Sequence, residues 1–263
     1  MIIYLEYVFS YIYIFILSTI NRLITTEKKD YNNNIIVSFT TIPSRSPYII
    51  NTINSILNQT VLPRKIYIGI PIVSSREPLL EYNLSNVIQT NKMIKIVYYN
   101  EDSGPIMKLL TGLDKCNTDD MIITIDDDTI YEKHLIEILS KNAMSDFNSV
   151  HCTIGRDKYS KKKYGTYTKC TLRTLEGYGG VIYRKHFFNN FNIINNKCFR
   201  TNDDLVISAY LKNNNIKINK VSYFIREPFC RYLFTSQSNP LYMINESNNV
   251  FNIAANELLL FEN

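Results

Sequence analysis

The sequence predicts an α/β domain: a mainly parallel sheet flanked by helices, preceded by a hydrophobic N-terminal helix. Three observations carry that expectation. From residue 35 to residue 142, β-branched runs alternate with stretches whose apolar residues recur at helical spacing, the pattern of repeated strand–helix units. The oiliest of these runs, Met121–Ile125, drives straight into Asp126, Asp127 and Asp128, and sheets of this kind bind ligands where their strands end. Residues 1–20 contain a single charge, Glu6, and stand apart from everything that follows.

The elements follow in order. Residues 35–42 (IIVSFTTI) form a β-branched strand, and residues 47–59, opening on Pro47, have helical periodicity. Residues 65–71 are the second strand and residues 77–90 a polar, helix-compatible region. Residues 95–99 are the third strand, residues 104–113 a short helix, and residues 121–125 the fourth strand. Thr129 and Glu132 have the spacing of a capping box, which predicts a helix through residues 132–142. The asparagine-rich stretches at 189–196 and 213–215 read as loops.

The N-terminal run is long enough to cross a bilayer, which takes roughly 20 residues. It lacks a basic leader and a small-x-small cleavage site, so it reads as an anchor over residues 1–24 rather than a cleaved signal. The competing expectation is a helix packed on the domain. Arg22, Lys28 and Lys29 follow the run, and the positive-inside rule then leaves the domain on the cytoplasmic side. Residues 25–34 read as a polar linker and residues 35–263 as the catalytic unit.

Composition narrows the partners. With 45% apolar and 20% charged residues the chain is ordinary globular material. Its net charge of +5 is too small and scattered for nucleic acid. The five cysteines include no Cys-x-x-Cys pair, which speaks against a zinc site or a disulfide framework. Sequons at Asn58, Asn83 and Asn245 are expected by chance in so asparagine-rich a chain.

Three adjacent acids at a strand end repel one another and resist desolvation unless a cation offsets them. Along an extended strand Asp126 and Asp128 share a face and Asp127 takes the other. Two carboxylates on one side suit Mg2+ or Mn2+, ions that take one or two protein carboxylates plus substrate phosphates. A cap for the following helix needs only one acid, so the bland reading leaves two unexplained.

Five stretches in order, VSFTTIPSR (37–45), NEDSGPIMKLL (100–110), IDDDTIY (125–131), EGYGGVIYRK (176–185) and NDDLVISAYL (202–211), resemble the GT-A glycosyltransferases of family 2 type. The resemblance covers residues 35–230. The composition, heavy in Ile, Asn, Lys and Tyr, is similar to that of glycosyltransferases of large DNA viruses. The resemblance implies a hexosyl- or deoxyhexosyltransferase that uses a nucleotide-sugar donor, a glycan or glycoprotein acceptor, and Mn2+ or Mg2+. It implies that Asp128 and Asp126 hold the metal, with Asp126 facing ribose or metal, and that Thr40, Arg45, Asp102, Lys108, Asp126 and Asp127 line the donor pocket. Gly179, Gly180 and Asp203 fall on the acceptor side, and Asp204 becomes the base of an inverting reaction. Arg226 and Arg231 would reach the diphosphate from a C-terminal loop. His134, His151 and His186 lie far from the position of the late histidine ligand that some GT-A families add.

Two other readings compete. HAD-type phosphatases carry Asp-x-Asp-x-Thr/Val after an apolar strand, with the first Asp, here Asp126, as nucleophile. Ile130 breaks that pattern, and the motif falls on the fourth strand, not the first. A catalytically inactive, membrane-anchored interaction protein is the non-enzymatic alternative.

Overall fold

Strand β1 begins earlier than its hydrophobic run alone predicts. In the computed structural model, which describes residues 30–161, 167–191, 201–221 and 230–232, it spans Asp30–Thr40. Asp30–Asn32 pair with Val61–Pro63 of the next strand, and the register shifts between Asn32 and Ile36. The last part of the expected linker is therefore strand, because backbone pairing to an extended neighbour does not depend on apolar side chains. The hydrophobic segment 1–24 lies outside the described residues. Among the described residues no helix is long and apolar enough to cross a membrane.

The chain continues as α1 (Ile50–Leu57), β2 (Val61–Pro71), α2 (Asn86–Thr90), β3 (Ile94–Tyr99), α3 (Met107–Lys115), β4 (Met121–Thr124) and β5 (Thr129–Tyr131). Then come α4 (Leu135–Ser145), β6 (Ser149–Cys152), β7 (Gly155–Lys161), β8 (Tyr167–Leu175), β9 (Val181–Arg184), α5 (Asp203–Asn213), β10 (Lys217–Lys220) and β11 (Cys230–Tyr232). Seven strands form one sheet in the order β10-β6-β9-β4-β1-β2-β3. All its pairings are parallel except those of β9, which runs against both β4 and β6. The α/β reading holds at this level: a mixed, mainly parallel sheet with helices packed on it.

Alternation along β1 supplies both faces of the sheet. Ile35, Val37 and Phe39 enter a core with Ile53 and Ile56 of α1 and Leu135, Ile136 and Leu139 of α4. Ile36 points the other way, to Ile122 and Cys116. Leu109 of α3 and Leu205, Val206 and Leu211 of α5 pack with Val150, Val181 and Tyr183. The strands are near-continuous apolar runs because both faces are covered.

Two helix starts differ from the sequence reading. Residues 129–131 are strand β5, antiparallel to β11, so the Thr129–Glu132 pattern caps nothing; α4 starts later, after His134. Pairing with a distant strand overrides the local signal. Pro47 lies in turns spanning residues 43–49, and α1 opens at Ile50.

Glu137 on α4 accepts from Thr60 Oγ1 (2.9 Å), approaches His134 Nδ1 (3.1 Å) and accepts from Lys141 Nζ (2.6 Å). Lys141 first, then His134 and Thr60, pull its carboxyl from the ordinary 4.5 down to about 2. A depressed carboxylate stabilises the fold above its unfolded value, and that stability is lost as pH falls. Glu137→Gln is expected to cost about 1 kcal/mol at neutral pH, allowing for solvent screening. Urea titrations should show the difference between wild type and variant vanishing as pH falls from 4.5 towards about 2.

Strand pairing gathers the important loops at one end of the sheet. Ser38 pairs with Thr124, and Thr124 also pairs with Val181. The chain leaving β1, the chain leaving β4 and the chain entering β9 therefore lie side by side. Cys152, the last residue of β6, also pairs with Val181 and brings a fourth strand end to the same edge.

Candidate active site

β4 ends at Thr124, and residues 127–128 are a turn, so strand alternation does not govern the three aspartates. Asp126 turns to Lys108, whose Nζ donates to Asp126 Oδ1 at 2.7 Å. Asp127 and Asp128 converge on Arg45: one guanidinium nitrogen, NH1, lies 3.1 Å from Asp127 Oδ1 and 2.9 Å from Asp128 Oδ2. The pair sharing a cation is thus Asp127 with Asp128, not Asp126 with Asp128. Asp128 is buried, at 8% exposure.

The turn is pinned from several sides. Thr41 Oγ1 donates to Asp127 Oδ2 at 2.6 Å, and Thr52 Oγ1 of α1 donates to the Asp127 carbonyl at 2.8 Å. The hydroxyl that reaches the aspartates after β1 is therefore Thr41; Thr40, the expected donor contact, is the last residue of β1 and pairs with Gly69. Tyr131 Oη accepts from the Asp126 N–H at 2.9 Å and donates to the Tyr178 carbonyl at 3.0 Å, tying the aspartate turn to the glycine-containing loop. This needs Tyr131 on a strand, which the capping-box reading obscured. Thr129 Oγ1 donates to Asp128 Oδ1 at 3.3 Å.

Lys108 is the junction of the site. It is 4% exposed, not a surface lysine, and its Nζ also lies 2.9 Å from Asp203 Oδ2 at the start of α5. One ammonium thus joins the aspartates after β4 to those of α5. Burial works against its charge, but Asp126, Asp203 and Asp204 outweigh burial and hold the Lys108 ammonium well above its usual range. The space it uses exists because residue 177 is glycine: a Cβ there would come within 2.5 Å of Lys108 Nζ and 2.7 Å of Asp204 Oδ1.

Asn202, not either aspartate, caps α5, accepting from the Leu205 N–H. Both acids are thereby released from capping. Asp204 Oδ2 accepts from the Gly177 N–H at 3.0 Å. Its Oδ1 is buried with no hydrogen-bond partner among the described residues. Burial, then the charge of Asp203, push the Asp204 carboxyl well up, against the pull of Lys108. The helix dipole does not win there: desolvation of a carboxylate outweighs a half-charge at a helix end.

The remaining expected residues have structural partners of their own. Asp102 braces two loops, accepting from Ser75 N and Oγ at 2.7 Å each and from Gly104 N at 2.8 Å. Gly180 has a φ of +91°, and a Cβ there would meet Leu135 at 3.2 Å, while one at Gly179 would meet Thr153 Oγ1 at 2.5 Å. Backbone conformation at Gly180 and packing at Gly179 therefore call for glycine. Arg76, absent from the sequence reading, is held below its usual range by burial and then by the nearby charge of Arg45. Arg226 lies outside the described residues, and Arg231 stands on β11 opposite Ile130.

Asp127 and Asp128 present the kind of oxygen donors that a divalent cation takes. Burial and then Asp127 push the Asp128 carboxyl up to about 7 despite Arg45. Among the described residues no three acidic, His or Cys side chains converge as a ligand set. An ion there would take two carboxylates from the protein and complete its shell from phosphates and water, as Mg2+ and Mn2+ do.

Residues 34–206, about two thirds of the chain, match the model of glycosyl transferase family 2. The chain belongs to that family. It is a glycosyltransferase, of a family that draws sugar from nucleotide-sugar donors, and neither the phosphatase nor the inactive-scaffold reading is needed to account for its acids. No curated protein matches the transferase by sequence. Among solved structures, Staphylococcus aureus TarS aligns with a TM-score of 0.50 and 15% identity, over 88% of this chain and 39% of that one. The mannosyltransferase PcManGT of Pyrobaculum calidifontis, in complex with GDP-Man and Mn2+, aligns with a TM-score of 0.47 and 10% identity, over 79% of this chain and 61% of that one. A Francisella tularensis 2-C-methyl-D-erythritol 4-phosphate cytidylyltransferase aligns with a TM-score of 0.43 and 14% identity, over 83% and 99%. The transferase thus spans less than half of TarS, with which it shares the GT-A-like fold.

Proposed function

We propose that this glycosyltransferase is metal-dependent and inverting, and moves a hexose or deoxyhexose from a nucleoside-diphosphate sugar to a hydroxyl of a glycan or glycoprotein. The observation that carries the reading is the Lys108 bridge, which brings the strand-end aspartates and the helix-start aspartates to one place. Asp127 and Asp128 hold Mn2+ or Mg2+, with Asp126 fixed beside them by Lys108. When bound, the cation offsets the charge that develops on the departing diphosphate. Arg45 and Arg76 add positive charge on the donor side, with Asp102 shaping the adjoining loops. The backbone at Gly179 and Gly180 borders the acceptor side.

Asp204 takes the proton from the acceptor hydroxyl. Gly177 N–H fixes one of its oxygens and the other lacks a partner, and a carboxylate whose proton affinity is raised is the stronger base. Asp203 stays paired with Lys108 and orients its neighbour. Residues 1–24 tether the domain to a membrane, with the domain on the cytoplasmic side, a reading supported by their hydropathy and the basic residues that follow.

Calorimetry with UDP and GDP, with and without Mn2+, tests the reading. Binding of one of them is expected only with Mn2+, and Asp128→Ala is expected to weaken it at least about tenfold while leaving stability within about 1 kcal/mol, because Arg45 retains Asp127. Equal affinity without metal, or an unaffected Asp128→Ala, would make the triple aspartate a structural turn.

A further inference from the structure

Arg45 stands where a cation would be held. Its NH1 occupies a position within reach of both Asp127 and Asp128, at 3.1 and 2.9 Å, and its side chain is 11% exposed. The turn that carries it is fastened at the backbone. Ser44 N and Oγ donate to Glu77 at 2.8 and 2.7 Å. Arg45 N and Ser46 N both donate to the Ile42 carbonyl at 3.0 Å, and Ser46 Oγ accepts from Asn83 N at 2.8 Å. Any exchange at the aspartates therefore falls to the long Arg45 side chain, not to the loop.

We propose that Arg45 is a tethered counter-cation that competes with the divalent ion for Asp127 and Asp128, and so makes metal binding depend on the nucleotide. The inference rests on the metal-dependent reading above. A Mg2+-type ion binds carboxylate oxygens at about 2.1 Å, so an ion bridging the two carboxylates contends with the guanidinium for the same position and the same negative charge. Metal arriving alone takes from Arg45 two of the carboxylates that balance its charge. Metal arriving with a nucleoside diphosphate brings phosphate oxygens, which match the forked donors of a guanidinium. Arg45 then exchanges one pair of anionic partners for another, and ion and nucleotide strengthen each other's binding by the same factor.

The test is Mn2+ binding, followed by the EPR signal of free Mn2+ and by calorimetry, for the full chain with Mn2+ alone and with added UDP or GDP. Arg45→Gln is expected to bind Mn2+ alone roughly tenfold more tightly than wild type, since a competing charge has been removed. That advantage shrinks or reverses once nucleotide is present. Arg45→Lys retains a charge for the two carboxylates, guards against loss of the fold, and gives a smaller gain in the same direction. If both variants bind Mn2+ alone no better than wild type while wild type takes Mn2+ with nucleotide, Arg45 does not compete and only this inference falls. If no form binds Mn2+ with or without UDP or GDP, the metal-dependent reading falls and takes this inference with it.

Discussion

Asp204→Asn lowers turnover by roughly two to four orders of magnitude while donor binding survives, the span expected when a positioned base loses its basicity. The amide matches the carboxylate in shape and can still accept the Gly177 N–H that Asp204 Oδ2 accepts at 3.0 Å, so the loop before β9 stays in place. What is lost is the ability to take a proton. The measurement is single-turnover transfer with saturating donor, next to calorimetry of nucleoside diphosphate with Mn2+. Product stereochemistry supplies an independent check, because one displacement aided by one base inverts the anomeric centre. Near-normal turnover in Asp204→Asn, or a product with the donor's configuration, would move the base elsewhere and leave Asp204 as a brace for Gly177.

Lys108→Met carries the largest expected cost to stability, about 3–5 kcal/mol, the usual penalty when one partner is removed from a buried ion cluster. Asp126, Asp203 and Asp204 would then face one another with nothing to offset them. Because Lys108 is held above its ordinary 10.5, its contribution persists across neutral pH and is lost only as pH rises beyond that value. Urea denaturation of wild type and variant at neutral pH, well below the ordinary lysine value, should therefore show the loss. Lys108→Met combined with Asp203→Asn should recover part of the loss, since a charge is removed along with its partner. A difference below about 1 kcal/mol would mean that the three acids are already relieved by protonation.

Much of this could be read from residues in order. The β-branched and oily runs located β1 to β4, since a strand covered on both faces needs little else to identify it. The acids also announced themselves, because Asp126–Asp128 and Asp203–Asp204 exceed what helix caps require. What could not be read was who pairs with whom. Alternation assigned Asp126 and Asp128 to one face, but the strand stops at Thr124, and turn geometry hands Asp128 to the same guanidinium as Asp127. Lys108 was expected in the donor pocket, but not as the buried link between the two pairs of acids. Its signal lay one turn on: Thr111 and Gly112 are small because that side of α3 presses on the sheet, where a Cβ at Gly112 would come within 2.4 Å of Ile122. A lysine on such a face is buried and must find acids. Thr129 and Glu132 misled because a capping box is a local pattern, whereas β5 is decided by β11, far along the chain.

Strand β9 has a consequence for the order in which the molecule is made. It is synthesised after β6 yet lies between β4 and β6, antiparallel to both. A chain emerging from the ribosome holds the two neighbours before it holds the strand that joins them, so the middle of the sheet closes late, through contacts distant in sequence that slow folding. The aspartates after β4 exist long before the lysine's second partner, Asp203, is translated. No shorter nascent chain can join donor and acceptor halves, so transfer competence arrives in one late step, and until then the exposed edges of β4 and β6 are where misfolding and chaperone engagement are expected to concentrate.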